Sequence, residues 1–176
     1  MATQAQQSLE RHIRAVPDFP KPGVMFRDLT TLFKNASALR HALCLLEAHT
    51  AEKDVEVVVG IESRGFILGG ALAARIGAGF VPARKPGRLP AKTAQETYSL
   101  EYGEAALEIH EDAFKLGQRV LVTDDLLATG GTAAATVKLV ERLGARVVGV
   151  SFIVELDGLG GRKKLPGYDV FSLVHL

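Results

Sequence analysis

At 176 residues, with 47% hydrophobic and 23% charged side chains, the chain is sized for one domain with a substantial core. Its net charge of +1 supplies no overall field for nucleic acid or an anionic membrane. The Gln-rich start lacks an apolar signal core, and no run of about 18 apolar residues occurs, so a cytoplasmic enzyme with no nucleic-acid or membrane partner is expected. Cys44 is the one cysteine, which excludes an internal disulfide and a Cys-based metal cluster. Set between Leu43 and Leu45 in an apolar helical pattern, it reads as a buried spacer.

In chain order, residues 8–15 predict a short helix with Leu9 and Ile13 four apart. Pro17, Pro20, Pro22 and Gly23 break it and impose a rigid extended path. Residues 24–30 place apolar side chains around Phe26, whose plain reading is core. A helix follows over 37–52, with Leu39, Leu43 and Leu46 on one face. Residues 55–60 have the pattern of an interior parallel strand and lead through Ile61-Glu62-Ser63-Arg64-Gly65 into a small-residue helix over 66–75 that stops at Gly77. Read alone, Arg64 is a solvated loop charge. A strand over 80–83 runs into Arg84, Lys85 and Arg88, again a solvated loop on the plain reading. Alternation at Tyr98, Leu100 and Tyr102, then Gly103 and Leu107-Glu108-Ile109, predicts a protruding hairpin, and long excursions of this kind are often lids.

Residues 120–132, Val-Leu-Val-Thr-Asp-Asp-Leu-Leu-Ala-Thr-Gly-Gly-Thr, predict a β-branched strand that ends at Asp124 and Asp125, a glycine turn, and a helix over 133–143. Gly130 and Gly131 let backbone amides approach a ligand, and a helix start offers unpaired N–H groups and the positive end of its dipole. Thr129 and Thr132 add hydroxyls, either of which serves as a cap. The Walker Gly-Lys-Ser/Thr ending and the dinucleotide Gly-x-Gly-x-x-Gly pattern are both missing from the turn. The two acids repel a polyanion but accept from a ribose diol, so turn and acids together suit a phosphorylated ribose. Simple strand-end and cap chemistry remains the alternative. Val137, Leu139, Val140 and Leu143 mark the helix face to Gly144, and a strand over 147–154 completes a βαβ unit. A loop and short helix over 155–165 and a strand over 169–174 read as sheet completion, with a possible dimer role.

Asp-Asp-Leu-Leu-Ala-Thr-Gly-Gly-Thr at 124–132 resembles the phosphoribosyl pyrophosphate (PRPP) signature of the type I phosphoribosyltransferase family, in the wording of its adenine-specific members. Phe-Pro-Lys-Pro-Gly-Val-Met-Phe-Arg-Asp at 19–28 resembles their amino-terminal hood, with Met25 where Val is expected. The resemblance implies an α/β fold with a mostly parallel central sheet flanked by helices, in one domain over 1–176. Residues 1–34 would form the hood and 84–109 the lid. It implies transfer of the phosphoribosyl group from PRPP to adenine, giving AMP and pyrophosphate, with Mg²⁺ held mainly by ligand oxygens and water rather than directly by the protein. It assigns Asp124 and Asp125 to the ribose, and Ala128, Thr129, Gly130, Gly131 and Thr132 to the 5-phosphate. Ser63, Arg64, Arg84 and Lys85 fall to the pyrophosphate. Met25, Phe26, Arg27 and Leu126 fall to adenine, by main-chain contacts at 25 and 27 and ring packing at 26. Glu101 becomes the proton handler at N7, with Tyr102 beside it in the lid. In related 6-oxopurine enzymes an Asp occupies the slot of Ala128, so the carboxylate comes here from elsewhere. A homodimer is expected by the same resemblance. The competing readings are a xanthine or 6-oxopurine enzyme and a non-catalytic PRPP-sensing regulator.

Overall fold

The computed structural model describes residues 4–99 and 103–176. It opens with α1 (Gln4–Glu10), then β1 (Arg14–Val16) pairs antiparallel with β2 (Phe26–Asp28). The helix expected over 8–15 is thus cut short. Turn bonds from His12 N–H to Leu9 O and from Ile13 N–H to Glu10 O, each 2.9 Å, end it while Leu9 is buried, and Arg14 is drawn off to pair with Asp28. The expected extended path over the prolines is a closed turn instead. Asp18 accepts from Gly23 N–H at 2.8 Å, Phe19 N–H donates to Val24 O at 3.2 Å, and the Phe19–Pro20 bond is cis. Asp28 accepts from Arg14 and from Thr30 N–H, which together hold its carboxyl down at about 2. A short α2 (Thr30–Phe33) follows, which the sequence reading missed.

The helix α3 (Ala36–Thr50) is capped by Asn35, whose side chain accepts from Ala38 N–H at 2.9 Å. It buries Ala42, Leu43, Leu46 and Thr50. Cys44 sits one residue, and so about 100°, around from Leu43, which makes it exposed rather than buried. Its sulfur accepts from Arg75 Nη2 at 3.4 Å.

The remaining elements are β3 (Val57–Ile61), α4 (Arg64–Ile76), β4 (Gly79–Ala83), β5 (Thr93–Ser99), β6 (Glu104–His110), β7 (Arg119–Leu127), α5 (Gly131–Arg142), β8 (Arg146–Glu155) and β9 (Val170–His175). Five of these strands form a sheet in the order β4-β3-β7-β8-β9, every pair parallel. Alternation along the strands divides the core in two. Val57, Val59, Val120, Val122 and Phe152 pack with α5 and with Leu107 and Ile109 of β6. Val58, Leu121 and Ile153 pack with α1, α3 and α4. The β5–β6 pair forms the expected antiparallel hairpin. Among the described residues no helix is long and apolar enough to cross a membrane.

One expected boundary moves in a way that matters for the site. The strand does not stop at the carboxylates: Asp124 pairs with Phe152, Leu126 with Val154 and Leu127 with Glu155, because β8 is long enough to go on offering ladder partners. Both acids therefore sit on a hydrogen-bonded strand rather than in a loop.

The tail does more than complete the sheet. Two 3₁₀ turns, Asp157–Leu159 and Gly161–Lys164, follow β8. Leu156 N–H donates to Leu127 O at 2.9 Å, and Arg162 Nε reaches the buried Glu155 at 3.1 Å. These ties press Gly161 onto the turn after β7. A Cβ on Gly161 would stand 2.2 Å from Ala128 O, and one on Gly130 2.2 Å from Gly161 O. Backbone that close admits only glycine. Gly161→Ala is expected to lower stability by about 1–3 kcal/mol in urea melts, whereas Gly158→Ala, with open space around it, should leave the midpoint in place. A Gly161→Ala protein as stable as the parent would contradict this packing.

Candidate active site

A cleft of about 320 Å³ opens at the carboxyl ends of the strands, lined by Glu62, Ser63, Arg64, Lys85, Asp124, Asp125 and Leu126. The chain leaves β3 outward to β4 and later returns beside β3 as β7, continuing the other way to β8 and β9. The cleft lies at that reversal, where open α/β sheets bind ligands. The helix α4 starts at Arg64, two residues before its expected start, with Ser63 at its N-cap and the Glu62–Ser63 bond cis. Gly65 permits the close approach of this turn to β7: a Cβ there would lie 2.8 Å from Asp124 Oδ1 and 3.0 Å from Thr123 O.

Arg64 is held between the hood and the acids. Its Nε stands 2.8 Å from Asp125 Oδ2 and its guanidinium carbon 5.7 Å from the centre of the Phe26 ring. Phe26 is half-buried and meets Phe19 edge-on at 5.0 Å. The Arg64–Asp125 contact is a charge pair rather than a directed hydrogen bond, since among the described residues Oδ2 of Asp125 is buried and receives no donor at bonding angle. Asp124 accepts the N–H of Asp125 at 2.9 Å. Burial, and then the negative charge of Asp125, push the Asp124 carboxyl well above the usual range. Burial also raises Asp125, against the pull of Arg64.

The neighbouring cations are not equivalent. Arg84 Nε donates to Glu62 at 3.2 Å and its Nη1 to Arg88 O at 3.0 Å, so its guanidinium is engaged, while Lys85 is among the residues lining the cleft. Burial raises the Glu62 carboxyl, but the Lys85 N–H and Arg84 outweigh it and hold it below the ordinary value. Glu62, absent from the expected site, sets this loop; its place beside Ser63 was the available signal.

The turn after β7 leads directly out of the cleft wall. Gly130, at φ 76°, occupies the N-cap of α5 with no side-chain cap, so neither Thr129 nor Thr132 caps the helix as expected. The left-handed glycine takes that position, and Thr132 instead bonds the Tyr98 hydroxyl at 3.3 Å. Ala128, Thr129 and Thr132 are half-buried, Gly130 and Gly131 buried. Of the expected adenine residues, Leu126 lines the cleft, Met25 is 50% exposed, and Phe26 and Arg27 lie in β2 opposite β1. Glu101 and Tyr102 lie outside the described residues.

A phosphoribosyl transferase domain matches residues 33–174. The adenine phosphoribosyltransferase of Acidobacterium capsulatum is 55% identical over 169 residues, covering 96% of this chain and 93% of its own. The chain belongs to the adenine phosphoribosyltransferase family. The crystal structure of the family member from Rhodothermus marinus superposes with a TM-score of 0.93 at 51% identity, over 98% of each chain. That from Saccharomyces cerevisiae, complexed with an imino-altritol bisphosphate and adenine, gives 0.90 at 40% identity over 96% of this chain and 98% of its own. Within this family fold, Asp124 and Asp125, half-buried and buried, are a like-charge pair that costs native stability.

That cost has a sign. A carboxyl whose folded pKa lies above its unfolded one contributes fully below the unfolded value and loses that contribution as pH rises through the folded value. Asp124→Asn keeps an acceptor for the Asp125 N–H and removes the charge. It is expected to melt higher than the parent at pH 8, by on the order of 1 kcal/mol, with the gap closing toward pH 4. A lower melting temperature at pH 8 would contradict the electrostatic picture.

Proposed function

We propose that the cleft and the turn after β7 form one continuous site for PRPP and adenine. The reaction is adenine phosphoribosyl transfer: PRPP and adenine give AMP and pyrophosphate, a step of purine salvage. The observation that supports this assignment of parts is the acid pair on β7 running straight into an uncapped, glycine-started helix. Carboxylates accept from ribose hydroxyls, and free N–H groups at a helix start donate to a phosphate. Asp124 and Asp125 hold the sugar, and residues 128–132 hold the 5-phosphate.

The pyrophosphate then lies toward Ser63, Arg64 and Lys85, with Arg84 supporting through Glu62. Permanent guanidinium charge suits a departing polyanion. The acidic wall of the cleft, with Asp124 and Asp125 side by side, suits the neighbourhood of a hard, oxygen-ligated Mg²⁺ held mainly by ligand oxygens and water. Asp124 and Asp125 would reach the ion through the sugar hydroxyls. When bound, the ion neutralises charge on the leaving pyrophosphate.

Adenine packs between Phe26 of the hood and Leu126 of β7. The Met25 carbonyl accepts from its 6-amino group and the Arg27 N–H donates to N1. As the C1–O bond loosens, N9 attacks from the opposite face and the configuration inverts. Glu101 holds the proton at N7 as N9 becomes nucleophilic. Tyr102 follows it in sequence, and closure of the lid over 84–109 excludes water. The protein works as a homodimer, in which a second copy covers exposed apolar side chains such as Ile67 on α4 and Phe80 on the edge strand β4, 50% and 38% exposed. The enzyme acts in the cytoplasm.

Base selectivity is the test. Hypoxanthine and guanine reverse both hydrogen-bond polarities at the 6-position and N1, leaving buried groups unpaired. Initial rates with a panel of labelled bases and PRPP should favour adenine in kcat/KM by on the order of 10⁴. Comparable rates with hypoxanthine or xanthine would overturn the adenine assignment.

A further inference from the structure

The hairpin is fastened along α5 by a series of polar contacts. Gln95 O accepts from Arg142 Nη2 at 2.6 Å. Glu96 pairs with Arg142 at 2.8 Å and with Lys138 at 3.8 Å, and the Tyr98 hydroxyl meets Thr132 Oγ1 at 3.3 Å. As the strand number rises from 95 to 98, the helix partner falls from 142 to 132. The strand β5 therefore runs toward the start of α5, the end at which the glycine turn stands. Tyr98 is half-buried and packs on the core cluster, so its hydroxyl is delivered to Thr132 by a ring anchored against the core.

Thr132 is unusual among the hydroxyls of this helix. Thr136 donates to the carbonyl of Thr132 at 2.9 Å, the ordinary back-bond of a helical threonine. Thr132 neither caps the helix nor makes such a bond, and turns to Tyr98. Each of the two hydroxyls carries one proton and can also accept, so between them they hold one mutual bond and one proton left to give.

We propose that Tyr98 is a positioning residue for the 5-phosphate, acting through Thr132. The inference rests on the reading that Thr132 touches that phosphate. A phosphate dianion only accepts, so a Thr132 that contacts it must point its own proton there. Its oxygen is then free to accept, and the Tyr98 O–H reverses to donate to it. The chain of two hydroxyls ends on the anion, each bond polarising the next. Tyr98 pairs with Ala105 near the loop end of the hairpin, three residues before Glu101 in sequence, so the same bond ties that end of β5 to an occupied phosphate turn.

The test is a double-mutant cycle on PRPP and ribose 5-phosphate affinity, with melting temperature measured in parallel. Tyr98→Phe keeps the ring and deletes the donor. It should raise both dissociation constants roughly 3- to 10-fold, the worth of one neutral hydrogen bond, and leave the KM for adenine unchanged. The same loss should appear when Tyr98→Phe is added to Thr132→Ser, which keeps a hydroxyl, and vanish when it is added to Thr132→Val. Unchanged affinity in Tyr98→Phe, or an equal loss on the Thr132→Val background, would overturn the proposal while leaving the phosphate turn intact. If Thr132→Val alone binds ribose 5-phosphate as the parent does, the phosphate reading of Thr132 is itself wrong and the proposal falls with it.

Discussion

Crowding two neighbouring carboxylates together, one buried and one half-buried, costs free energy, and much of the site is arranged around that cost. Asp124 and Asp125 are fixed in strand β7 by pairing to β8, so they cannot swing into water to relieve the repulsion. Arg64, delivered by the first turn of α4, neutralises part of the charge at 2.8 Å. Gly65 allows that turn to come near enough. A ligand that offers hydroxyl donors to both acids gains what the protein alone leaves unsatisfied, which is how strain retained at a site becomes affinity.

The turn that follows is shaped from outside as much as from its own sequence. Gly130 and Gly161 approach so closely that neither tolerates a Cβ, and the second belongs to the tail some thirty residues on. Glu155, Arg162 and Ser172 lock that tail. Burial raises the Glu155 carboxyl, and the Arg162 and Ser172 bonds more than offset it. The amides of the α5 start are thus presented by a backbone held in place by Gly161 of the tail. Preorganisation of this kind spares a ligand the cost of ordering a loop.

The central part of the fold was legible because its signals are local and strong. Strands over 55–60 and 80–83, the glycine turn at 130–131 and the hairpin signalled by Tyr98, Gly103 and Leu107-Glu108-Ile109 all follow from periodicity and turn chemistry, and the observed elements lie within a few residues of them. The hood was not legible, because three-residue strands are decided by partners elsewhere: Asp28 draws Arg14 out of the helix expected there, and Asp18 folds the proline run into a turn. Cys44 was misplaced because a helical stripe tells which face is buried only once the residues flanking Leu43 are assigned an angle. Glu62 and Gly161 escaped notice since each acts on backbone distant in sequence, and single residues carry no pattern of such contacts. The residues of the signature, by contrast, are consecutive in sequence.

A crystal structure with AMP is the most direct measurement of the central idea, that one strand-to-helix turn holds the phosphate while the two aspartates beside it hold the sugar. The account places the phosphate oxygens within hydrogen-bonding distance of the N–H groups and hydroxyls of 129–132, with the ribose hydroxyls on Asp124 and Asp125. An AMP phosphate seated instead on Arg64 and Lys85, or a ribose turned away from the acid pair, would contradict it.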